Sequence, residues 1–360
     1  SIRADAALEN SASHNPYYDN RIKYINANGY KLADITEHEI ERMIDNNEPA
    51  LDPYSIGKAY RIEGIGRYVE FVKNTFPKNI DLKGLKIVVD CANGASYKAA
   101  PLALRELGAE LILTNVEPNG TNINDNCGAV YPENMAKAVL EHGADVGISF
   151  DGDADRVVFS DEKGNIVDGD KIMGICAIDM MEQGTLKNNT IVATVMSNLG
   201  FEYSMNKKGI KLIRSQVGDR YVMEDMLKYN CNLGGEQSGH LIFSDFNTTG
   251  DGLISAMQVL GLLIKKGKSL SELCSFIETY PQVLNNVLVD KKVSLDELSN
   301  TSALILKIEK ELGTSGRLLV RYSGTENKLR IMLEGKDEKI ITAYAEEIAE
   351  MAVNEIQGKK

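Results

Sequence analysis

The sequence predicts an α/β protein made of successive α/β domains with mainly parallel mixed sheets, followed by a small C-terminal α+β domain. Three observations predict this fold class. The length of 360 residues suggests two or three domains, or more small ones, at roughly 150 residues per domain. From residue 84, short β-branched runs alternate with helical patterns, which is typical of parallel sheets. The last part of the chain loses this alternation.

The predicted elements follow this order along the chain. The first eighty or so residues are polar and rich in Asn, with helices expected at 37–46 and 65–75. The strands predicted next are 86–90, 110–114, 145–150, 156–160, 166–167, 190–196 and 211–216, and a further strand follows Gly239. The helices predicted between them are 99–107, 133–142, 170–182, 201–207 and 219–229. The C-terminal domain is predicted as strands 282–290, 316–321 and 328–334 with helices 295–312 and 337–356.

Composition excludes several classes of protein. The chain has 40 Lys and Arg against 52 Asp and Glu, a net charge of −12, which argues against a nucleic-acid binder because phosphate neutralisation needs a basic face. The longest clean apolar stretches are far too short to span a bilayer, so no membrane partner is expected. Five scattered cysteines without a CxxC pair argue against a disulfide framework and fit a cytoplasmic location.

The sharpest motif is an acidic loop directly after the strand at 145–150. Asp151, Asp153 and Asp155 alternate with Gly and Ala, so their oxygens can converge on one hard cation. Glu162 stands where a calcium EF-hand loop has its last ligand, but Arg156 occupies the position that requires glycine. We therefore reject the EF-hand. The alternative is a solvated acidic turn.

Three other polar motifs are compatible with phosphate and sugar chemistry. Ser13 and His14 lie in the stretch SASHNP, with Lys23 ten residues after the serine; such a serine can be an activated phosphoryl acceptor, and a simple turn is the alternative. Residues 234–240 (GGEQSGH) offer donors and acceptors for sugar hydroxyls, or form a bulged turn. Residues 321–327 (RYSGTEN) form a phosphate cradle or a polar hairpin loop.

Taken together and in this order, the four motifs resemble those of the α-D-phosphohexomutase superfamily. That superfamily carries a phosphoserine loop, a D-G-D-x-D-R metal loop, a G-G-E-x-S-G-H sugar loop and an R-x-S-G-T-E phosphate loop, one per domain. The resemblance implies a phosphosugar mutase with domains at 1–80, 81–168, 169–278 and 279–360 around a central cleft. Gln237 and the stretches 217–222 and 250–256 favour the branch that acts on glucosamine phosphates. The branch that acts on glucose and mannose phosphates is the alternative.

The resemblance also implies a role for each motif residue. Ser13 would carry the phosphoryl group, with His14 and Lys23 as candidates for proton transfer. Mg²⁺ would be held by Asp151, Asp153, Asp155 and an oxygen of the phosphorylated Ser13. The substrate, a small phosphosugar, would be bound by Arg156, Glu236, Ser238, His240, Arg321, Ser323, Gly324, Thr325 and Arg330. A homodimer is possible.

The first domain departs from the superfamily pattern. An N-terminal stretch with a G-T-D-G loop is not found, the run Ala7–Asn10 is half polar where an apolar strand is usual, and Arg21 replaces a glycine. The sequence therefore predicts a chain that lacks the N-terminal part of its first domain. An inactive form that only binds sugar phosphate is the alternative to an active mutase.

Overall fold

The computed structural model describes residues 4–46, 52–55, 57–323 and 327–358. The chain divides into two compact units, one formed by residues 1–196 and 208–276 and the other by residues 197–207 and 277–360. Among the described residues, no helix is both long enough and apolar enough for a membrane crossing.

The first unit begins with a hairpin whose outer side is exposed. Its elements are β1 (Ala6–Ser11), β2 (Arg21–Asn26), α1 (Asp34–Asp45) and α2 (Ile65–Lys73). β1 pairs antiparallel with β2, and Leu8 on β1 is 68% exposed. Both predicted helices are present, but the polar composition gave no strand signal for the hairpin because neither strand has a buried face that would impose alternation.

A five-stranded mixed sheet follows and is covered by helices. Its elements are β3 (Lys86–Asp90), α3 (Ser96–Glu106), β4 (Glu110–Thr114), α4 (Glu133–His142), β5 (Val146–Phe150), β6 (Val157–Ser160) and β7 (Ile166–Val167). The strand order is β4-β3-β5-β6-β7, with β3 parallel to β4 and β5 and the last two pairs antiparallel. Every residue of β5 is buried. The strand thus ends in the protein interior, where the acidic loop begins.

The second sheet of this unit has the order β11-β10-β8-β9, with only β11 antiparallel. The elements in this part of the chain are α5 (Gly169–Glu182), β8 (Thr190–Thr194), α6 (Leu199–Lys207, in the second unit), β9 (Lys211–Ser215), α7 (Asp219–Tyr229), β10 (Leu233–Gly235), β11 (Leu241–Phe243), α8 (Gly252–Lys266) and α9 (Leu270–Cys274). The sequence did not predict α8. It is buried over most of its length, so it lacks the polar face that makes a helix visible in sequence. Asp251 caps it by accepting from the backbone N–H groups of Leu253 and Ile254.

The second unit is the predicted α+β domain, with α6 added. Its other elements are β12 (Gln282–Leu288), α10 (Ser299–Leu312), β13 (Gly316–Tyr322), β14 (Lys328–Gly335) and α11 (Glu338–Gly358). The strands form an antiparallel sheet of order β12-β14-β13. Apolar residues of α10 and α11 pack with those of the sheet in one core. The predicted fold class, successive α/β domains with mixed sheets and a C-terminal α+β domain, is confirmed.

Candidate active site and metal centre

Three carboxylates converge in the loop that follows β5. One oxygen from each of Asp151, Asp153 and Asp155 lies within 4.8 Å of the others. The Oδ2 atom of Asp151 and the Oδ1 atom of Asp153 are buried without a hydrogen-bond partner. Buried carboxylate oxygens are costly unless something neutralises them, and a set made only of oxygen donors suits a hard cation. The residues therefore fit a metal ion.

Close backbone approach explains the glycine of this loop. A side chain on Gly152 would place its Cβ 2.5 Å from the carbonyl oxygen of Ser13, and one on Gly94 would place it 2.3 Å from the carbonyl oxygen of Gly152. The loop is closed by the N–H of Arg156, which donates to Asp151 Oδ1 at 3.1 Å. A larger residue at 152 would push the acidic loop away from the Ser13 loop.

Charge in the acidic loop is unevenly balanced. Burial and the two neighbouring carboxylates raise the pKa of Asp151 well above its ordinary value. Burial also acts on Asp155, but contacts with His240 and Lys23 outweigh it and lower the pKa of Asp155. Lys23 Nζ lies 2.7 Å from Asp153 Oδ2 and 3.4 Å from Asp155 Oδ2, so these carboxylates raise the pKa of Lys23 despite its burial. Of these carboxylates, Asp151 is therefore the one whose charged form a bound cation would stabilise most.

The Ser13 loop is attached directly to the acidic loop. Ser11 Oγ donates to Asp153 Oδ2 at 2.6 Å and accepts from the N–H of Ser13 at 2.8 Å. Ser13 has a φ of +51°, a region that residues other than glycine rarely adopt. Its Oγ lies 3.3 Å from His14 Nδ1. Partial burial and the guanidinium of Arg156 lower the pKa of His14, which favours a neutral ring.

The loop predicted to bind sugar joins three parts of the first unit. Glu236 Oε1 accepts from the N–H of Gly218 at 2.9 Å, and its Oε2 accepts from Ser238 Oγ at 3.2 Å. Gln237 Nε2 donates to Asp168 Oδ2 at 3.2 Å. Glu236 and Ser238 thus lie together at the surface of the loop, with hydroxyl and carboxylate groups in contact.

His240 lies deeper than a sugar contact would require. It is 3% exposed, and its Nδ1 lies 3.5 Å from Asp155 Oδ1 while its Nε2 lies 3.7 Å from Asp219 Oδ2. The N–H of Gly250 donates to Nε2 at 3.2 Å, which assigns the proton of a neutral ring to Nδ1, facing Asp155. Backbone pairing of Arg156 with His240 joins the acidic loop to the predicted sugar loop.

The phosphate motif belongs to the second unit. Arg321 on β13 lies directly across from Arg330 on β14, and burial together with Arg330 lowers the pKa of Arg321. Ser323 is buried, and Arg330 Nη2 donates to its Oγ at 3.5 Å. Two guanidinium groups on facing positions repel each other, so an anion between them would be favoured. Gly324 and Thr325 lie outside the described residues.

The sequence pattern does not single out four residues of the site. Ser11 is one residue of the motif SASHNP, and Asp219 is one residue of the stretch 217–222. Lys31, which forms an ion pair with Asp219 at 2.5 Å, and Asn124, whose amide contacts the Ser13 loop, gave no signal. Lys31 and Asn124 are more than a hundred residues from these partners in the chain, and no local sequence pattern predicts such contacts.

A cavity of about 790 Å³ in the first unit borders only part of this site. Lys23, Asp153 and Asp155 lie in its wall, whereas Glu236 and Ser238 do not. Most of its exposed lining is apolar, including Ile65 and other hydrophobic side chains. The predicted sugar contacts Glu236 and Ser238 therefore lie outside the wall of this cavity.

Comparison with known families covers nearly all of the chain. The phosphoglucomutase/phosphomannomutase models match in order: alpha/beta/alpha domain I at residues 1–50, domain II at 66–164, domain III at 168–280 and the C-terminal domain at 284–351. Because the first of these models matches from residue 1, the predicted loss of an N-terminal stretch is not shown and stays a prediction.

Solved structures share the fold at low sequence identity. A phosphoglucomutase/phosphomannomutase family protein from Burkholderia thailandensis has a TM-score of 0.79 at 20% identity, covering 98% of this chain and 77% of the other. N-acetylphosphoglucosamine mutase from Aspergillus fumigatus, in complex with GlcNAc-6P and magnesium, has a TM-score of 0.74 at 17% identity, covering 98% and 89%. At these identities the likeness concerns the fold alone.

Curated relatives are much more similar in sequence. Phosphoglucosamine mutase of Syntrophotalea carbinolica is 54% identical over 98% of this chain and 78% of the relative. That of Protochlamydia amoebophila is 55% identical over the same shares, and that of Citrifermentans bemidjiense is 54% identical over 100% of this chain and 80% of the relative. With four domain models matched in order as well, the chain belongs to the phosphoglucosamine mutase family of the α-D-phosphohexomutase superfamily.

Proposed function

We propose that this protein interconverts glucosamine-6-phosphate and glucosamine-1-phosphate through a phosphoserine and a sugar bisphosphate. One observation carries the proposal: the Ser13 loop is tied to the three-carboxylate loop by the 2.6 Å hydrogen bond from Ser11 to Asp153. Phosphoryl transfer depends mainly on alignment and charge neutralisation, which this juxtaposition offers. In the cytoplasm, such an enzyme would supply the precursor of UDP-N-acetylglucosamine and of the cell wall.

The cation in this proposal is Mg²⁺. Asp151, Asp153 and Asp155 would hold it together with an oxygen of the phosphorylated Ser13. When bound, it would neutralise charge on the transferring phosphoryl group. The proposal is supported by the all-oxygen donor set and by the buried carboxylate oxygens that lack hydrogen-bond partners.

Proton transfer is assigned to His14 and charge neutralisation to Lys23. As the bond from phosphorus to Ser13 Oγ breaks and one to a sugar oxygen forms, the sugar hydroxyl loses its proton. The lowered pKa of His14 favours a neutral ring that can accept this proton, and the released serine oxygen takes up a proton from the same imidazolium, whose Nδ1 lies 3.3 Å from Ser13 Oγ. The raised pKa of Lys23 keeps this side chain an ammonium ion. In the return half-reaction, the phosphoryl group at the other end of the bisphosphate moves back to Ser13.

Substrate binding is proposed for residues of three motifs. Glu236 and Ser238 would contact sugar hydroxyls, with His240 beside them, and Arg156 would contact the phosphate near the cation. The other phosphate would be held by Arg321, Ser323, Gly324, Thr325 and Arg330. The facing guanidinium groups of Arg321 and Arg330 support this part of the proposal, since their repulsion would be relieved by an anion.

A substrate panel tests the proposal. The purified chain is incubated with Mg²⁺, a trace of the matching 1,6-bisphosphate, and glucosamine-, glucose- or mannose-6-phosphate, and the 1-phosphates are followed by ³¹P NMR. We expect the highest kcat/KM with glucosamine-6-phosphate. Faster turnover of glucose or mannose phosphate would favour the phosphoglucomutase/phosphomannomutase alternative. Binding without turnover of any of them would favour the inactive form. Light scattering on the same sample tests the predicted homodimer.

A further inference from the structure

Asn124 connects the Ser13 loop to the body of the first unit. Its Nδ2 atom donates to the carbonyl oxygens of Ser13 at 2.8 Å and of Asn15 at 2.9 Å, and the residue is 6% exposed. A carbonyl oxygen can only accept, so the amide nitrogen must face both carbonyls. We propose that Asn124 is a positioning residue that fixes Ser13 relative to the carboxylates, an inference that rests on the proposed function.

The backbone of Asn124 is itself firmly anchored. Its N–H donates to the carbonyl oxygen of Ala92 at 2.9 Å, just beyond β3. Asp90, the last residue of β3, accepts from the N–H of Ala92 at 2.9 Å and from that of Gly128 at 3.0 Å. Because β3 is the parallel neighbour of β5, Asn124 is attached to the same sheet that carries the acidic loop.

The acidic loop meets this hydrogen bond at Gly152. A Cβ atom at Gly152 would lie 2.5 Å from the carbonyl oxygen of Ser13 and 2.7 Å from Asn124 Nδ2. The Ser13 loop, the side-chain amide of Asn124 and the acidic loop are therefore in contact at Gly152. A shift of Asn124 would change the separation of Ser13 from the carboxylates without removing any ligand.

The Ser13 loop needs such an external support. β1, which precedes it, is largely exposed, and Ser13 has a φ of +51°, a conformation that persists only where the surroundings hold it. Ser11 fixes the start of the turn through Asp153. Asn124 holds the carbonyl groups of Ser13 and Asn15, the residues on either side of His14, in the part of the turn that carries the reacting groups.

Two alanine variants from one loop test the proposal. Asn124→Ala removes both hydrogen bonds. Asn126→Ala is the matched control, because Asn124 and Asn126 have φ values of +56° and +52° and so bear the same backbone cost. The side chain of the exposed Asn126 donates, among the described residues, only to its neighbour Asp125. In Asn124→Ala we expect kcat to fall about a hundredfold, as for a misplaced reacting group. KM and the Mg²⁺ dissociation constant of the dephosphorylated protein, in which only the three carboxylates would hold the ion, should stay near those of the parent.

Hydrogen exchange gives a readout that is independent of turnover. The amides of residues 12–15 should exchange faster in Asn124→Ala and at the parent rate in Asn126→Ala, while the remaining amides match the parent. Equal kcat in the two variants would overturn the positioning role. A rise in KM and a loss of Mg²⁺ affinity as large as the loss in kcat would overturn it as well. If Asn124→Ala does not fold, Asn124→Ser, which keeps one donor, should show an intermediate loss, and parent-like kcat in it would overturn the proposal.

The two proposals fail separately. A parent chain that turns over no phosphosugar, with faster exchange confined to residues 12–15 of Asn124→Ala, would refute the proposed function and leave the contact of Asn124 with this loop supported. An active parent whose Asn124→Ala variant keeps its kcat would refute the positioning role alone.

Discussion

The acidic loop and the Ser13 loop are held in place in different ways. The acidic loop follows β5, in which every residue is buried, and Phe150 at its end has no exposed surface. The Ser13 loop follows β1, in which Leu8 is 68% exposed, and its position comes from hydrogen bonds to Asp153 and Asn124. One half of the candidate site is thus positioned by its own sheet, and the other half by residues distant in sequence.

This difference teaches where substitutions should matter. Loss of packing under the acidic loop should cost stability, because β5 belongs to the core. Loss of a contact at the Ser13 loop should cost turnover more than stability, because few buried apolar groups depend on it. The following changes break or sharpen that contrast, beginning with the largest expected effect.

Ser13→Ala should lower the kcat of mutase turnover at least about 10⁴-fold, as expected when an enzyme loses its nucleophile. The fold should be retained, because Ser13 Oγ contacts only His14, at 3.3 Å, among the described residues. Steady-state kinetics and intact mass check this, with the phosphate of the parent mapped by peptide digestion. Stable phosphate on Ser11 and never on Ser13 would contradict the assignment.

Asp153→Asn should weaken Mg²⁺ binding at least about a hundredfold. Mutation of a residue that only orients a metal ligand already lowers metal affinity about ten- to a hundredfold, and Asp153 is proposed to be a direct ligand. Asp153 Oδ2 also accepts from Ser11 and Lys23, so this change should loosen the Ser13 loop as well. Titration calorimetry measures the affinity, and Asp125→Asn, at an exposed position, controls for the loss of one charge. Equal Mg²⁺ affinity in the two variants would argue against the metal centre.

Arg321→Ala should raise KM about ten- to a hundredfold, because a charge-assisted hydrogen bond contributes about 1.5–3 kcal/mol. The kcat should fall less, since a phosphate that is not transferred is bound equally in the ground and transition states. The second unit should lose little stability, because the variant relieves repulsion with Arg330. An unchanged KM with a collapsed kcat would place Arg321 at the transferring phosphate instead.

Asp151→Asn should stabilise the metal-free protein by about 1 kcal/mol or more at pH 8, because each unit by which folding raises the pKa of a carboxyl corresponds to about 1.4 kcal/mol. The folded state raises the pKa of Asp151, so the contribution of this group to stability is fully present below the ordinary carboxyl pKa of about 4 and is lost as the pH rises through the raised pKa. The advantage of the variant should therefore grow from pH 5 to pH 8. Urea unfolding with EDTA measures it, and an advantage that shrinks with rising pH would contradict the charge argument.

Leu8→Ser should change the free energy of unfolding by no more than about 0.5 kcal/mol, as expected for an exposed position. Phe150→Ala, at the end of β5, should cost about 3–5 kcal/mol. Urea unfolding of both variants compares the two strands directly. A loss of several kcal/mol for Leu8→Ser would mean that the outer side of β1 is covered in solution, and the contrast between the loops would then be smaller than the exposure of Leu8 implies.

Local sequence was enough for the ligands of the acidic loop and for most of the fold. Asp151, Asp153 and Asp155 alternate directly after a strand, and this spacing alone places their oxygens on one side of a tight turn. The strands and helices that were predicted from residue 84 onward carry a clear pattern, because each buries one face or is a short apolar strand between helices. Both signals are local, so they survive in a single sequence.

Tertiary structure decided how the motifs are joined and which neighbours support them. His240 belongs to the predicted sugar loop, yet it lies buried between Asp155 and Asp219. Asn124 belongs to no sequence motif, and only the folded structure brings its side-chain amide to the Ser13 loop. The exposed hairpin and the uniformly buried α8 were likewise not predicted from the sequence, because in neither element do polar and apolar residues alternate between an exposed and a buried face. Sequence periodicity reports which side of an element is buried. It carries no information about hydrogen bonds between groups a hundred residues apart, since those depend on how the finished elements pack.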